Sequence, residues 1–470
     1  MQRSSRRHGS SPLSLSTAPR CLLAAALVAA VAEPGTIRAQ AQLPDSQAAR
    51  GWRVKFEGSG SRPVIVDGVL YVGSADGAVY AVDAMTGDTK WRFQTGEHLS
   101  AATSGVQVVA TIAEAEKAAA AILTQGRRTV DMAPAVGKGT VFIGSGDRSF
   151  YAIDAASGKK KWSYEAGGGL ASNNSSYPYP AALLIDRVVY FVAEGGLHAV
   201  DAETGERKWF VKNVVEPWHG PVLGNGVIFL TTGALLYAVD WGSGQAKWIA
   251  RVDGSNITSI TAPVTARGLV FFATKNGSTK QTTLYAVEAA AGQVKWSAVP
   301  EPFEFGEPII VTAGDAVFIA TDKKVSALSM DAGRELWSFR TDMIDGGLWA
   351  DDRHLYVPTH KGSFESPRNT LHALALSTGQ EKWSKGVRGS VKVSLIHDGV
   401  VYGGKDPVFA IEAATGKQLW STNGLGSAQI VDGGKLIAIS ETVSYFGTDR
   451  VDQGYLSAVD SKTGKVPSSK

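Results

Sequence analysis

Cysteine is almost missing from this sequence: among 470 residues there is one, Cys21. No disulfide can form within the chain, so a disulfide-stapled scaffold, a CxxC redox site and a CxxCH haem attachment are excluded. Methionine is sparse as well, at 5 residues. No stretch approaches the roughly 20 consecutive apolar residues that a membrane-spanning helix needs. The eight His are scattered, without HExxH or a close pair of the kind that holds zinc. There is no Gly-rich phosphate loop opening a helix and no GxSxG elbow. "GSGDRS" from Gly144 contains Gly-x-Gly, but it falls at a strand turn where a sister segment reads "GSADGA", and it is read as a hairpin.

An excess of positive charge is missing too, once the N-terminus is set apart. Residues 1–41 read as an export signal. Arg3, Arg6, Arg7 and Arg20 form a basic start, and the apolar run "CLLAAALVAAVA" from Cys21 to Ala32 has the length of a secretory core. Small-x-small sites place cleavage after Ala32 or after Ala41. The Arg6-Arg7 pair raises twin-arginine export, although the apolar residues expected just after it are absent. Ala18-Pro19-Arg20 is a poor lipobox, so no lipid anchor on Cys21 is expected. The segment carries five Arg and one Glu, so its removal takes the formal charge from +3 to −1. The basic balance therefore says nothing about nucleic acid. The expectation is an exported protein, periplasmic or secreted, with no membrane span and no nucleic-acid partner.

What the chain has in abundance is Gly and Trp, 53 and 12 residues, a balance suited to many short strands and tight turns. "YAVDAMTGDTKW" (Tyr80 to Trp91) returns as "YAIDAASGKKKW" (Tyr151 to Trp162) and "HAVDAETGERKW" (His198 to Trp209). Copies begin at Tyr80, Tyr151, His198, Tyr237, Tyr285, Ser326, His372, Phe409 and Ser457. The first step is 71 residues and the others run from 37 to 48. A β-rich run such as "GVLYVGS" or "GTVFIGS" precedes each phrase. Four short strands per period make one antiparallel sheet, and about 40 residues repeated around a ring make a β-propeller blade.

The phrase has structural work to do. Gly87, Gly158, Gly205, Gly244, Gly292, Gly333, Gly379, Gly416 and Gly464 hold one turn position. Asp83, Asp154, Asp201, Asp240 and Asp460 stand four residues earlier, placed to accept turn amide protons. Glu288 and Glu412 imitate them, whereas Ser329 and Ala375 depart. Trp52, Trp91, Trp162, Trp209, Trp248, Trp296, Trp337, Trp383 and Trp420 end the units and read as blade-to-blade packing rather than catalysis. The last phrase lacks its Trp strand, while "GWRVKFEGSG" from Gly51 is a Trp strand without a phrase. Joined, they close the ring and remove two sheet edges. The expected fold is all-β, a single propeller over residues 50–467. It has eight to nine four-stranded blades, nine by motif count, and is closed by the N-terminal strand.

Ala-x-Asp-x-x-x-Gly-x-x-x-Trp resembles the tryptophan-docking motif of pyrroloquinoline quinone (PQQ) type β-propellers, over about Trp52 to Gly464. The resemblance implies either of two functions. One is a non-catalytic binding or assembly scaffold in the cell envelope, as in the propeller subunit of the outer-membrane protein assembly machinery, with no cofactor. The other is a periplasmic quinoprotein alcohol or sugar dehydrogenase using PQQ with Ca²⁺. Quinoprotein alcohol dehydrogenases carry a vicinal cysteine disulfide over the quinone, and this chain cannot form one. The scaffold is the first expectation. No catalytic, cofactor-binding or metal-ligating residue is nominated.

The connections from each outer strand to the next inner strand line one mouth of the ring. Candidate binding residues there are Asn173, Tyr179, Trp218, His219, Glu307, Trp349 and Lys392, with Asn174, Tyr177, Glu304 and Asp345 nearby. Aromatics beside a few polar groups suit an envelope protein or peptide, or a small polar ligand. The same side chains equally read as plugs of the channel. Trp241 in "DWGSG" reads as surface or blade packing. A segment at about 97–131 lies outside the repeat. Its "AEAEKAAAAILTQ" (Ala113 to Gln125) predicts a helix of about three turns, packed on the rim or serving as a docking element or lid. A monomer is expected.

Overall fold

A computed structural model describes residues 51–465, apart from 58–59, 75, 96–105, 109–133, 146, 148, 167–181, 194–195, 213–220, 225, 233–234, 252–256, 301–307, 363–367 and 447–448. The chain divides into Met1–Pro44 and Asp45–Lys470, and every described residue belongs to the second unit. The signal segment and the expected helix at Ala113–Gln125 lie outside the described residues. Among the described residues there is no helix.

The strands form nine sheets, each with four antiparallel strands as its frame, so the count is nine blades and not eight. Blades 1 to 8 start at Val64, Ala135, Ala182, Val222, Val264, Ile309, Trp349 and Val393, the first residues of their inner strands. Blade 9 takes Ser427–Asp432, Lys435–Phe446 and Asp449–Asp460 from the C-terminal end. Its outer strand is Trp52–Glu57, paired antiparallel from Trp52↔Ala458 to Glu57↔Gln453. The ring is closed as the split repeat predicts.

Strand character follows position. The second and third strands are covered on both faces by neighbouring blades and read as nearly continuous apolar runs. In blade 2, Thr140–Gly144 is buried throughout, and Ser149–Asp154 is buried except at its ends. The outer strand Lys160–Glu165 has one face in water and alternates around the buried Trp162. Tight hairpins join the first two strands. Asp67 and Gly68, with φ of 49° and 73°, make the left-handed pair that matches strand twist.

The core is a set of nine apolar clusters, one in each seam between adjacent blades. The outer-strand Trp of each blade lies over the phrase glycine of the next. Trp91 covers Gly158, Trp162 covers Gly205, and so on around to Trp420 over Gly464 and Trp52 over Gly87. A Cβ at any of the nine glycines would sit 2.5–2.8 Å from an indole carbon, and each has φ between 64° and 79°. Close approach and backbone conformation therefore both demand glycine. In blades 1 to 8 the Trp also packs at 5.5–6.0 Å against a Tyr or Phe of its own second strand, tilted by 40–49°.

Eight of the nine indoles donate across the seam to a backbone carbonyl. Examples are Trp52 to Ala84 at 3.0 Å, Trp162 to Ala202 at 3.1 Å and Trp296 to Met330 at 2.7 Å. Trp209 is the exception: its Nε1 is buried with no acceptor among the described residues. The matching carbonyl, that of Trp241, accepts instead from the Tyr190 hydroxyl at 2.9 Å.

The aspartates of the phrase do accept turn amides. Asp201 Oδ1 takes the N–H groups of Glu203 at 2.9 Å and Thr204 at 3.1 Å. In blades 1 to 4 the Lys before the Trp pairs with the same carboxylate, as Lys90 with Asp83 at 3.1 Å and Lys208 with Asp201 at 3.2 Å. Burial pushes the Asp201 carboxyl up, but the two amides and Lys208 outweigh it and hold the group below the usual range. In blade 6 both partners are gone together, replaced by Ser329 and the exposed Leu336.

Three blades carry a fifth strand: Ile257–Ile260 in blade 5 and Met343–Ile344 in blade 7 pair antiparallel with second strands, and the third differs from them. Val106–Val108, within the 97–131 segment, forms a strand and not part of a helix. It pairs parallel with the inner strand Ala182–Ile185, making blade 3 five-stranded.

Candidate functional site

In a propeller the inner strands surround the axis, and the linkers entering them form a mouth at one end. Most of the residues nominated there lie outside the described residues: Asn173, Asn174, Tyr177, Tyr179, Trp218, His219, Glu304 and Glu307. Trp349, Asp345 and Lys392 are described.

Trp349 does not face an open mouth. It begins the short inner strand Trp349–Ala350, is 3% exposed, and pairs with Tyr356 in register. It packs with Leu371, Val391, Val401 and Phe409 in the seam between blades 7 and 8. The sequence carried a signal for this. Every inner strand places an apolar residue seven positions before the central residue of the second strand, as Val64 before Tyr71 and Val264 before Phe271. Trp349 stands seven before Tyr356, so the repeat does explain an apolar residue there.

Lys392 and Asp345 do meet. They sit on neighbouring linkers, from blade 7 to blade 8 and from blade 6 to blade 7, with Nζ 3.7 Å from Oδ1. Lys392 is largely in water, and the aliphatic part of its side chain lies across Gly346. A Cβ there would come within 2.9 Å of Lys392 Cγ, and Gly346 has φ of 103°. An exposed pair of this kind contributes little stability, but it leaves an ammonium and a carboxylate side by side at the mouth.

The calcium-quinone site of the dehydrogenases needs several oxygen donors converging on one ion. Among the described residues no three of His, Cys, Asp and Glu come together, and Asp345 already faces Lys392. The described part of the mouth does not fit that group.

A second polar anomaly lies in the seam between blades 2 and 3. His198 lies in the third strand of blade 3, Gly196–Asp201, at the position where five other phrases have Tyr or Phe. Its ring stacks on Phe191 at 5.2 Å, and Nδ1 lies 3.1 Å from the Tyr164 hydroxyl. Nε2 is buried with no partner among the described residues. Burial, with Arg207 nearby, pushes the pKa down to about 4, so the imidazole is neutral at pH 7, and which of Nδ1 and the Tyr164 hydroxyl donates is set by the ring tautomer.

With the ring and mouth in place, comparison with known proteins assigns the family. A family model described as outer membrane protein assembly factor BamB matches residues 193–343 and 321–469, more than half of the chain. The chain belongs to this family of PQQ-like β-propellers. A second model, the β-propeller domain of glucose/ethanol/alcohol dehydrogenases, matches residues 40–127.

Among curated relatives, the quinohemoprotein alcohol dehydrogenase of Comamonas testosteroni is 30% identical over 166 residues. That match covers 34% of this chain but only 21% of the dehydrogenase. The outer membrane protein assembly factor BamB of Yersinia pestis is 25% identical over 297 residues, covering 57% of this chain and 71% of that protein. The crystal structure of the Comamonas testosteroni dehydrogenase superposes with a TM-score of 0.52 at 17% identity, covering 91% of this chain and 79% of that one. At that identity the likeness shows the fold alone. Among the described residues no helix is long and apolar enough to cross a membrane.

Proposed function

We propose that this PQQ-like propeller is an exported, non-catalytic scaffold that binds an envelope protein or peptide at its linker mouth. The observation that carries the reading is coverage. The assembly factor is matched along 71% of its length, and the dehydrogenase along 21% of its own. Two features support it. One cysteine cannot supply a vicinal disulfide, and the Asp345–Lys392 pair presents both charges side by side for polar recognition instead of pooled carboxylates for a divalent ion. Trp218, His219, Asn173, Tyr179, Glu307 and Lys392 remain the proposed lining of the mouth. Trp349 supports them from within the blade. Trp52, Trp91 and their seven counterparts serve as the docking tryptophans of the motif.

The competing reading is a PQQ-dependent alcohol or sugar dehydrogenase, and one experiment separates the two. Purified protein is titrated with PQQ and Ca²⁺ while the quinone spectrum is followed, and dye reduction is then assayed with alcohols and sugars. The scaffold predicts no stoichiometric complex and no substrate-dependent reduction. Turnover that disappears when Ca²⁺ is chelated would reverse the assignment.

A further inference from the structure

Blade 9 is the one blade whose outer strand is not joined to its third strand by a phrase turn. In blades 1 to 8 that covalent turn sets the register, and each ladder shifts by one residue beside the Trp. The closing strand Trp52–Glu57 has no such turn, and its ladder runs without a shift from Trp52↔Ala458 to Glu57↔Gln453. A slip of one residue would turn Trp52 out of the seam. A slip of two keeps Trp52 and Phe56 on the inner face while moving the strand by about 6.8 Å, so apolar patterning alone does not exclude it.

Two cations distinguish the native register from that slip. Arg53 Nε donates to the Ser457 hydroxyl directly opposite at 3.0 Å, and Nη2 donates at 2.6 Å to the Gly424 carbonyl, in the linker that enters blade 9. The guanidinium also lies 5.4 Å from the centre of the Tyr455 ring. Arg92 holds the same position in blade 1, but its partners Asp76 and Tyr80 belong to its own blade. Lys435 begins the second strand of blade 9, opposite Asp460, and is 2% exposed. The other eight blades place Val, Thr, Leu, Ala or His there. The Lys435 ammonium crosses the closing seam and donates to the Met85 carbonyl, in the phrase turn of blade 1. Lys is almost never buried unless paired, so this position suits Lys435 only while that turn is in place.

We propose that Arg53 and Lys435 replace the missing turn, as positioning residues that select the register of the closing strand against a two-residue slip. Arg53 reads the strand itself, and Lys435 reads the blade behind it. The tether between them has little slack. Gly60 bridges Ser74, and the Ser61 amide donates to the Gly73 carbonyl at 2.7 Å, both in blade 1. A slipped strand therefore carries blade 1 with it and takes the Met85 carbonyl away from Lys435.

The test uses the full chain with Cys21→Ser, so that no other thiol competes. One cysteine pair, Glu57→Cys with Gln453→Cys, reports the native register. A second, Lys55→Cys with Gln453→Cys, reports the slip. Disulfide yield on mild oxidation is read by peptide mapping in the parent, in Arg53→Met and in Lys435→Met. Val227→Ala, at the position of blade 4 equivalent to Lys435, controls for general loosening. The native link should dominate in the parent and the control. The slipped link should rise at least fivefold in both Met variants. It should rise less in Arg53→Lys, whose single ammonium cannot reproduce the guanidinium fork, and that variant carries the same test should a Met variant fail to fold. An unchanged slipped yield together with a lower melting temperature would make the two cations ordinary stabilising contacts. An equal rise in Val227→Ala would make slippage a general result of lost stability. Either outcome overturns the proposal.

Discussion

Closure of the ring sets the largest single energetic expectation. Removing residues 51–57 strips blade 9 of its outer strand. Trp52 and Phe56, 7% and 3% exposed, leave the seam with blade 1. The indole bond to the Ala84 carbonyl goes with them, as does a six-residue ladder. Truncating a buried Trp or Phe costs about 3–5 kcal/mol each, and the lost hydrogen bond adds about 1 kcal/mol. The loss is on the order of 7–11 kcal/mol before the newly bare edge along 453–458 is counted. Total stabilities of native proteins are about 5–15 kcal/mol. Blade 1 should therefore lose its neighbour, and the ring should open or unfold. The assay is urea denaturation and thermal melting of chains beginning at residue 45 and at residue 60. A synthetic peptide spanning residues 50–58, added in trans, should recover part of the loss. Equal midpoints for the two chains would refute the closure argument. Trp52→Ala alone should cost about 3–5 kcal/mol, which guards against attributing a simple failure to fold to the wrong cause.

Four further outcomes follow from particular contacts. Trp162→Phe leaves the Ala202 carbonyl without its donor, whereas Trp209→Phe removes an N–H that has no acceptor among the described residues. In urea melts the second should be milder by about 1 kcal/mol, and equal costs would remove the distinction. Gly139 and Gly158 both have left-handed backbone, but only at Gly158 would a Cβ strike an indole, that of Trp91 at 2.7 Å. Alanine at Gly139 should cost about 1–2 kcal/mol, and at Gly158 about 1–3 kcal/mol more, read from the same melts. Trp349→Ala should cost about 3–5 kcal/mol, as for a core Trp, and a near-neutral melt would return Trp349 to the open mouth. His198 has a folded pKa of about 4 against an ordinary 6.5, so the unfolded chain binds a proton first as pH falls. Its contribution is complete above pH 6.5 and is lost towards pH 4, at most about 3 kcal/mol. His198→Tyr, the residue of four other phrases, should flatten that part of the stability–pH curve.

The repeat made the carpentry legible before any coordinates. Identical surroundings recur nine times, so each turn Gly, turn Asp and outer Trp is stated nine times over and errors in one copy are corrected by the rest. The split ninth unit was readable for the same reason. What stayed hidden is what occurs once. In the 97–131 segment the helix formers of 113–125 dominate the pattern, while "VQVV" before them has the β-branched residues that favour a strand. Three residues are too few for periodicity to register, and a parallel partner about 75 positions away leaves no local mark. For Trp349 the informative signal is its offset from Tyr356, not its identity as an aromatic residue. The mouth could be located by topology, whereas Asp345 beside Lys392 depends on two linkers that no sequence spacing relates.

Departures from the repeat fall in blades 3, 5 and 7. Blade 3 carries the extra strand on its axial edge, the buried His198 on its third strand and the indole without an acceptor on its outer strand. Its neighbour supplies Trp241 to the same seam, where other blades place a smaller residue or one without a ring. A repeat selected only for closure would gain nothing from these changes. An unpaired Nε1 and an unpaired imidazole nitrogen each leave a desolvated polar atom, at a cost on the order of 1–3 kcal/mol. Thr282 Oγ1 in blade 5 and His354 Nδ1 and His360 Nδ1 in blade 7 are likewise buried without a hydrogen-bond partner among the described residues, whereas the other blades reach a cheaper solution. Local rules are broken where another requirement competes with stability, and here three breaks fall within one five-stranded sheet. Apart from the strand pairing, His198 and Trp209 make blade 3 the place where a partner's contacts should first be sought. Cross-linkers placed on its linker end should capture an envelope partner before those placed on blades 5 to 8. Equal capture around the whole ring would mean that the irregularities of blade 3 are incidental to binding.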